Sequence, residues 1–343
     1  MLGMVLRPPW DDRMNRQRLL ILIGAFVSAV FLVLAFQGLH PQELLSSLKQ
    51  VNLGGVLLAT ALFLVSVVVI SWRWQFLLNP ITRVPLERLF QLVCIGYMGN
   101  NIYPLRAGEA LRIVLLRRDE GVPLAPSATV TIVERVFDGV VMLSFILLGV
   151  GAGGVQNELL NALTQVATPL FALAVAVLVV VALMPRRAQA LVERLTHLLP
   201  VRLSGLINRL SSELLGGLAA FQNVGQLMGA ALASFGSWFV QGVVYWVLLL
   251  AFGIDQPFAT ALLLVGAVNL AGLIPASPGQ IGVFEYFTVV VLQTAGVAQP
   301  QALSYALVTH AVIWLPATLA GLAYLFQRGL TLRSAQQIQQ TAA

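Results

Sequence analysis

Charge is what this sequence has least of: 10% of its 343 residues are charged, against 58% apolar and a mean hydropathy of +0.87. A surface built from that composition cannot face water all round, which excludes an ordinary soluble domain. Cysteine is nearly absent too; Cys94 stands alone, so neither an internal disulfide nor a cysteine-pair metal site is available. Lys49 is the only lysine, so arginine carries nearly all of the net charge of +6. Those arginines flank apolar runs and form no single basic face, which argues against nucleic acid and for lipid headgroups at a membrane surface. No Walker motif, H-E-x-x-H, G-x-S-x-G or Asp-x-Asp is present, so neither ATP-driven pumping nor familiar hydrolytic chemistry is supported. No catalytic group, cofactor or metal is expected. The stretch Gly149–Gly154 fits G-x-G-x-x-G, but it closes an apolar run rather than a strand and is discounted as a nucleotide site.

What the sequence does contain is long apolar runs. Segments near 19–38, 54–78, 124–150, 166–184, 226–252 and 301–326 are each about the 20 residues needed to cross roughly 30 Å of hydrocarbon. Regions 89–118 and 258–297 are also apolar, but helix breakers interrupt them at Asn100-Asn101-Ile102-Tyr103-Pro104 and at Pro275-Ala276-Ser277-Pro278-Gly279. The predicted fold is therefore an all-α polytopic membrane protein of about six full transmembrane helices plus two broken, re-entrant helical hairpins. Residues 1–18 form a cytoplasmic N-terminal segment, 19–328 a single transmembrane domain and 329–343 a disordered tail, rich in Gln. The apolar run after Arg18 has no small-x-small cleavage site and reads as a retained helix. Within the domain, 186–224 spreads Arg187, Arg194, Arg202 and Arg209 among leucines and reads as an interfacial amphipathic helix.

The distribution of arginine sets the orientation. With the N-terminus cytoplasmic, and with 89–118 returning to the side it enters, Arg83, Arg88, Arg117, Arg118, the stretch Arg186–Arg209, Arg328 and Arg333 all fall inside. The expected location is the cytoplasmic membrane, multi-pass, with both termini cytoplasmic. Two complete crossings by 89–118 satisfy the charges equally well. The hairpins share apolar-apolar-Pro-x-x-x-Gly-(Glu/Gln) at Ile102–Glu109 and Leu273–Gln280. Three crossings separate them, so they enter from opposite faces as an inverted repeat does, an arrangement that points to a site near the midplane.

Ionisable residues at membrane depth are costly and are functional candidates by default. These are Arg73, Arg106, Glu109, Arg112, Glu134, Arg135, Asp138 and Glu285, with equal numbers of each sign, so the set can neutralise itself. Ser127, Thr131, Glu134 and Asp138 form one polar stripe at helical spacing, with Arg135 able to bridge Asp138. That stripe is either a structural network or a headgroup site. Arg106 and Arg112 flank Glu109 where a broken helix begins, an arrangement suited to phosphate or carboxylate; snorkelling arginines and a self-capping glutamate are the alternative. Pro275, Pro278, Gly279 and Gly282 let backbone approach closely ahead of Glu285. Trp72-Arg73-Trp74 reads first as an interfacial anchor, and His310 as a satisfied polar residue within its helix. Gly216-Gly217 and Gly225 with Gly229 permit helix contact, including between copies.

At these residues the sequence resembles the family named after the transmembrane region of lysylphosphatidylglycerol synthase, also called flippase-like membrane proteins. The likeness rests on Trp72-Arg73-Trp74, on Gly99 through Arg112 including Asn100 and Asn101, on Glu134-Arg135-Val136-Phe137-Asp138, and on Pro275 through Glu285. It covers roughly residues 15–330. The resemblance implies translocation of a lipid with an anionic headgroup, either an aminoacylated phospholipid or a polyprenyl phosphate. In the two-part synthases a separate cytosolic domain attaches the amino acid; that domain is expected to be absent here, and with it lysyltransferase activity. The partners implied are membrane lipids, a separately encoded transferase and further copies of the chain, and no nucleic acid. A membrane partner or enzyme of lipid-linked glycosyl or aminoacyl transfer is the rival reading.

Overall fold

The computed structural model describes residues 9–38, 41–79, 81–104, 107–153, 184–197 and 224–335, together with scattered positions between 158 and 212. Among them every regular element is helical and no strand occurs. The helices are α1 (Pro9–Phe36), α2 (Pro41–Lys49), α3 (Leu53–Leu78), α4 (Leu86–Ile102), α5 (Gly108–Glu120), α6 (Leu124–Gly153), α7 (Pro185–Thr196), α8 (Val224–Ala251), α9 (Phe258–Ala271), α10 (Val283–Thr294) and α11 (Gln299–Gln327).

Among the described residues three stretches are long and apolar enough on their own to cross a membrane: Leu53–Leu78, Met228–Ala251 and Gln299–Gln327. A further long helix, α6, has 30 residues but carries Glu134, Arg135 and Asp138 in its middle, so its fitness to span rests on pairing those charges internally. The apolar part of α1 joins α2 through a bend rather than continuing straight. About half of the run expected at 166–184 lies outside the described residues, and the described positions from 166 to 180 are helical.

Both interrupted regions are helix–break–helix units. The 17 and 13 residues of α4 and α5 measure ~26 and ~20 Å at about 1.5 Å per residue. The 14 and 12 residues of α9 and α10 measure ~21 and ~18 Å on the same scale. Each half falls short of a hydrocarbon core of roughly 30 Å. The first unit folds tightly because a Cβ at Gly108 would collide with the Gly96 carbonyl oxygen across the two helices. The second turns through Gly279 and Gly282, both at positive φ, where glycine adopts without penalty what other residues resist.

Packing relates the two halves of the chain. The most extensive contact is α3 on α8, followed by α6 on α9 and α4 on α11. Helices α3 and α4 pack together, as do α8 and α9; α5 lies on α6, and α10 on α11; α3 meets α11, and α8 meets α6. Exchanging α3, α4, α5 and α6 with α8, α9, α10 and α11 leaves that pattern unchanged. Close approach of α6 and α9 depends on small residues, since a Cβ at Gly266 would lie 2.8 Å from the Met142 carbonyl oxygen. Gly149, the first glycine of the discounted nucleotide motif, is pressed against Leu263 of α9 in the same interface. Gly229 abuts the Phe76 ring of its own chain, so its smallness serves an internal contact.

One expectation changes. The tail is not disordered from its start: residues 329–335 are ordered, Leu330 and Ala335 are buried, and the Tyr103 hydroxyl donates to the Leu332 carbonyl at 2.7 Å. Residues 336–343 lie outside the description. Of the segment 186–224, α7 is a helix that leaves Arg187, Arg194, Leu191 and Leu195 exposed; Arg202, Arg209 and the glycines at 216 and 217 are outside the described residues.

Candidate functional site: a cavity between two helix breaks

The buried charges form one cluster among α3, α5, α6 and α8. Arg73, on the last turns of α3, is 2% exposed and binds Glu134 with one terminal nitrogen and Asp138, at 2.5 Å, with the other. Arg112 on α5 reaches the second oxygen of Glu134 at 2.7 Å and lies over the Trp74 ring, 4.3 Å from its centroid. The indole N–H of Trp238 on α8 donates to Asp138 at 2.6 Å. Arg135 stands at 3.5 Å from both Asp138 and Glu109 at the more exposed edge. Three arginines thus meet three carboxylates and the formal charge closes to zero, which is how such a group persists at membrane depth.

Of the polar stripe, Glu134 and Asp138 join α6 to α3, α5 and α8, whereas Ser127 and Thr131 donate to carbonyls one turn back along the chain. Trp72-Arg73-Trp74 is split: Trp72 is half exposed, whereas Arg73 and Trp74 are buried, so neither of the latter two is an interfacial anchor. Glu109 pairs with Arg135 rather than capping its own helix, and Arg112 pairs with Glu134 rather than snorkelling. Arg106 lies outside the described residues.

A second polar centre holds the break between α9 and α10. One oxygen of Glu285 accepts the Gly282 N–H at 2.6 Å, and the other faces His310 Nδ1 at 2.5 Å. His310 Nε2 meets the Gly279 carbonyl at 2.9 Å. A carbonyl only accepts, so Nε2 carries hydrogen, and the Nδ1–Glu285 contact requires a second proton shared between the partners. His310 is thus satisfied by the opposing helix break and not, as the sequence suggested, within its own helix. Ser28 of α1 ties the same break down, accepting from the Ser277 N–H at 2.9 Å and donating to its hydroxyl at 2.8 Å.

Between the breaks lies a cavity of about 390 Å³. Asn100, Asn101, Tyr103 and Pro104 come from the first break and residues 272–280 from the second, with Tyr97, Trp238, Gln241, Asn269, His310 and Trp314 completing the wall. Of the sequence candidates, Asn100, Asn101, Pro275, Pro278 and Gly279 line it; Arg73, Glu109, Arg112, Glu134, Arg135, Asp138, Gly282 and Glu285 do not. Asn100 also accepts the Gly108 N–H at 2.9 Å, and Asn101 donates to Thr318 at 2.8 Å, so each fixes the break while facing the cavity. Gln241, Asn269, Trp238 and Trp314 carried no sequence signal, because a lone amide or indole inside an apolar helix has no partner motif to mark it.

With that geometry in hand, comparison with known proteins is decisive on one point. The family model described as the lysylphosphatidylglycerol synthase TM region matches residues 21–321. The chain belongs to this family. Among similar proteins, Glycosyltransferase AglD of Haloferax volcanii is 28% identical over 90% of this chain and 55% of its own length. A UPF0104 membrane protein of Methanothermobacter thermautotrophicus is 25% identical over 90% of this chain and 93% of its own. Another, from Methanocaldococcus jannaschii, is 32% identical over 39% of each chain. The chain thus spans about half the length of AglD, and nearly all of the first UPF0104 protein.

Proposed function

We propose that this family member is a flippase that moves a membrane lipid between leaflets by passing its headgroup through the cavity between the two helix breaks. The observation that carries the reading is the cavity itself, a space with several polar side chains in its wall and bounded by both broken units of a highly apolar chain. The exchangeable packing of α3–α6 and α8–α11 supports an inverted-topology repeat, in which α4–α5 dips from the cytoplasmic face and α9–α10 from the opposite one. Both chain termini are cytoplasmic in this topology, and α1, α3, α6, α8 and α11 cross the membrane together with the run at 166–184. Irregular backbone at membrane depth is tolerated where it lines a cavity, and paired breaks of this kind frame substrate sites in transporters.

The headgroup expected from the sequence is anionic. Arg73 and Arg112 are committed to Glu134 and Asp138, so they hold the scaffold; Arg106, two positions beyond cavity-lining Pro104, is the arginine whose charge a substitution should probe. A second reading, favoured by the likeness to a protein named Glycosyltransferase AglD, is a membrane partner of lipid-linked glycosyl transfer. No catalytic role is assigned to the chain in either reading.

Scrambling of fluorescent lipids in proteoliposomes tests the proposal. Wild type should move lipid between leaflets, Trp314→Ala and Arg106→Ala should slow that movement about tenfold or more, and Arg135→Ala should leave it within about twofold. Absence of movement across anionic, aminoacylated, glycosylated and polyprenyl-phosphate lipids would turn the assignment to the partner reading.

A further inference from the structure

The cavity wall carries polar groups, and among the described residues that line it none is arginine, lysine, aspartate or glutamate; His310 is already bound to Glu285 and Gly279. Gln241 is 6% exposed, lines the space and makes no hydrogen bond to the described protein. The Trp314 indole N–H is buried with no partner. Asn269 spends its amino group on the Val265 carbonyl, and Asn100 spends its oxygen on Gly108, leaving one an acceptor and the other a donor for whatever enters.

Buried polar groups without partners cost free energy unless a ligand or water satisfies them. Side-chain amides offer a donor and an acceptor together, the pairing that a hydroxyl, itself donor and acceptor, matches on both counts. An ionised phosphate desolvated here would meet no cation among the described lining residues, and without one it would be penalised heavily. The aromatic faces of Tyr97 and Trp314 suit the C–H surface of a ring, and the volume of about 390 Å³ is of small-ligand size. At the margin, Ile21, Ile23 and Leu273 line the cavity and are exposed, so its edge is apolar. An amphiphile fits that edge better than a free polar solute does.

From this arrangement we propose that the cavity receives an uncharged, hydroxyl-rich group, such as the sugar of a glycosyl lipid, whose acyl chains leave past Ile21, Ile23 and Leu273. The proposal rests on the lipid-headgroup reading of the cavity and narrows it. Any phosphate carried by the same lipid is left to other groups, and Arg106→Ala tests that share separately.

Native mass spectrometry of the purified full chain, offered monoglucosyl diacylglycerol and phosphatidic acid in equal amounts, tests it. Wild type should retain the glucosyl lipid at least about tenfold over phosphatidic acid. Gln241→Leu should abolish the preference, and Gln241→Asn should restore part of it. Equal or preferential retention of phosphatidic acid by wild type, a comparison that needs no variant, would overturn the proposal, as would an unchanged preference in Gln241→Leu. Displacement by methyl glucoside at matched concentration would assign the cavity to a free sugar and overturn the lipid source. Glucosyl-lipid retention without transbilayer movement would sink the transport reading and leave the ligand class standing; movement of phosphatidic acid alone would do the reverse.

Discussion

The two helix breaks are built on one plan and furnished in opposite ways. Each returning helix sends ionisable side chains to the long helix that follows: Arg112 and Glu109 of α5 to Glu134 and Arg135 of α6, and Glu285 of α10 to His310 of α11. In the first half those contacts belong to a cluster that Arg73 and Asp138 complete. In the second there is a single pair gripping Gly279 and Gly282 beside the cavity. A buried network with every charge matched is a scaffold, because opening it strands an ion in a medium that cannot solvate it. A lone imidazole–carboxylate pair yields more readily, since parting it breaks one side-chain contact rather than a network. The same architecture therefore supplies rigidity at one break and adjustability at the other.

The largest test of that contrast is Glu134→Ala, which leaves both Arg73 and Arg112 buried without a full partner. Stability should fall by about 3–5 kcal/mol, read as thermal unfolding in micelles; a loss under about 1 kcal/mol would mean that the cluster is open to water. At the second break, His310→Leu strands Glu285 and the Gly279 carbonyl, and should cost roughly 1–3 kcal/mol. Glu285→Gln should cost far less, because an amide accepts from Gly282 and donates to a neutral imidazole.

Hydrogen exchange at residues 279–282 sharpens the distinction further: these amides should exchange faster in His310→Leu than in wild type, and equal rates would show that the imidazole does not hold the break. Gly108→Ala pushes a methyl group at the Gly96 carbonyl and should cost about 1–3 kcal/mol. The smallest effect belongs to Arg135→Ala: its side chain is 45% exposed and its contacts are 3.5 Å long, so stability should change by less than about 1 kcal/mol.

Much of the scaffold was legible beforehand. The spans at 54–78, 226–252 and 301–326 follow from unbroken apolarity, and the two breaks from Asn-Asn…Pro and Pro-x-x-Pro-Gly, since chain chemistry at those points opposes helix locally. Mutual neutralisation was legible for the Arg135–Asp138 contact, which local helical spacing sets. The reach of Arg73 across 61 and 65 positions to Glu134 and Asp138 was not. Nor was the pairing of His310 with the opposite break, nor the ordering of residues 329–335.

By itself, then, the sequence determined the solvent this protein lives in, where its helices run and break, and that its membrane-depth charges could balance, because hydropathy and backbone propensity are properties of short windows. Only the tertiary structure decided which arginines were already spent, that a neutral amide at Gln241 would face a cavity, and that the two breaks would meet. Those outcomes depend on which side chains converge from distant segments, and a polar group's cost or use is set by the partner it finds there.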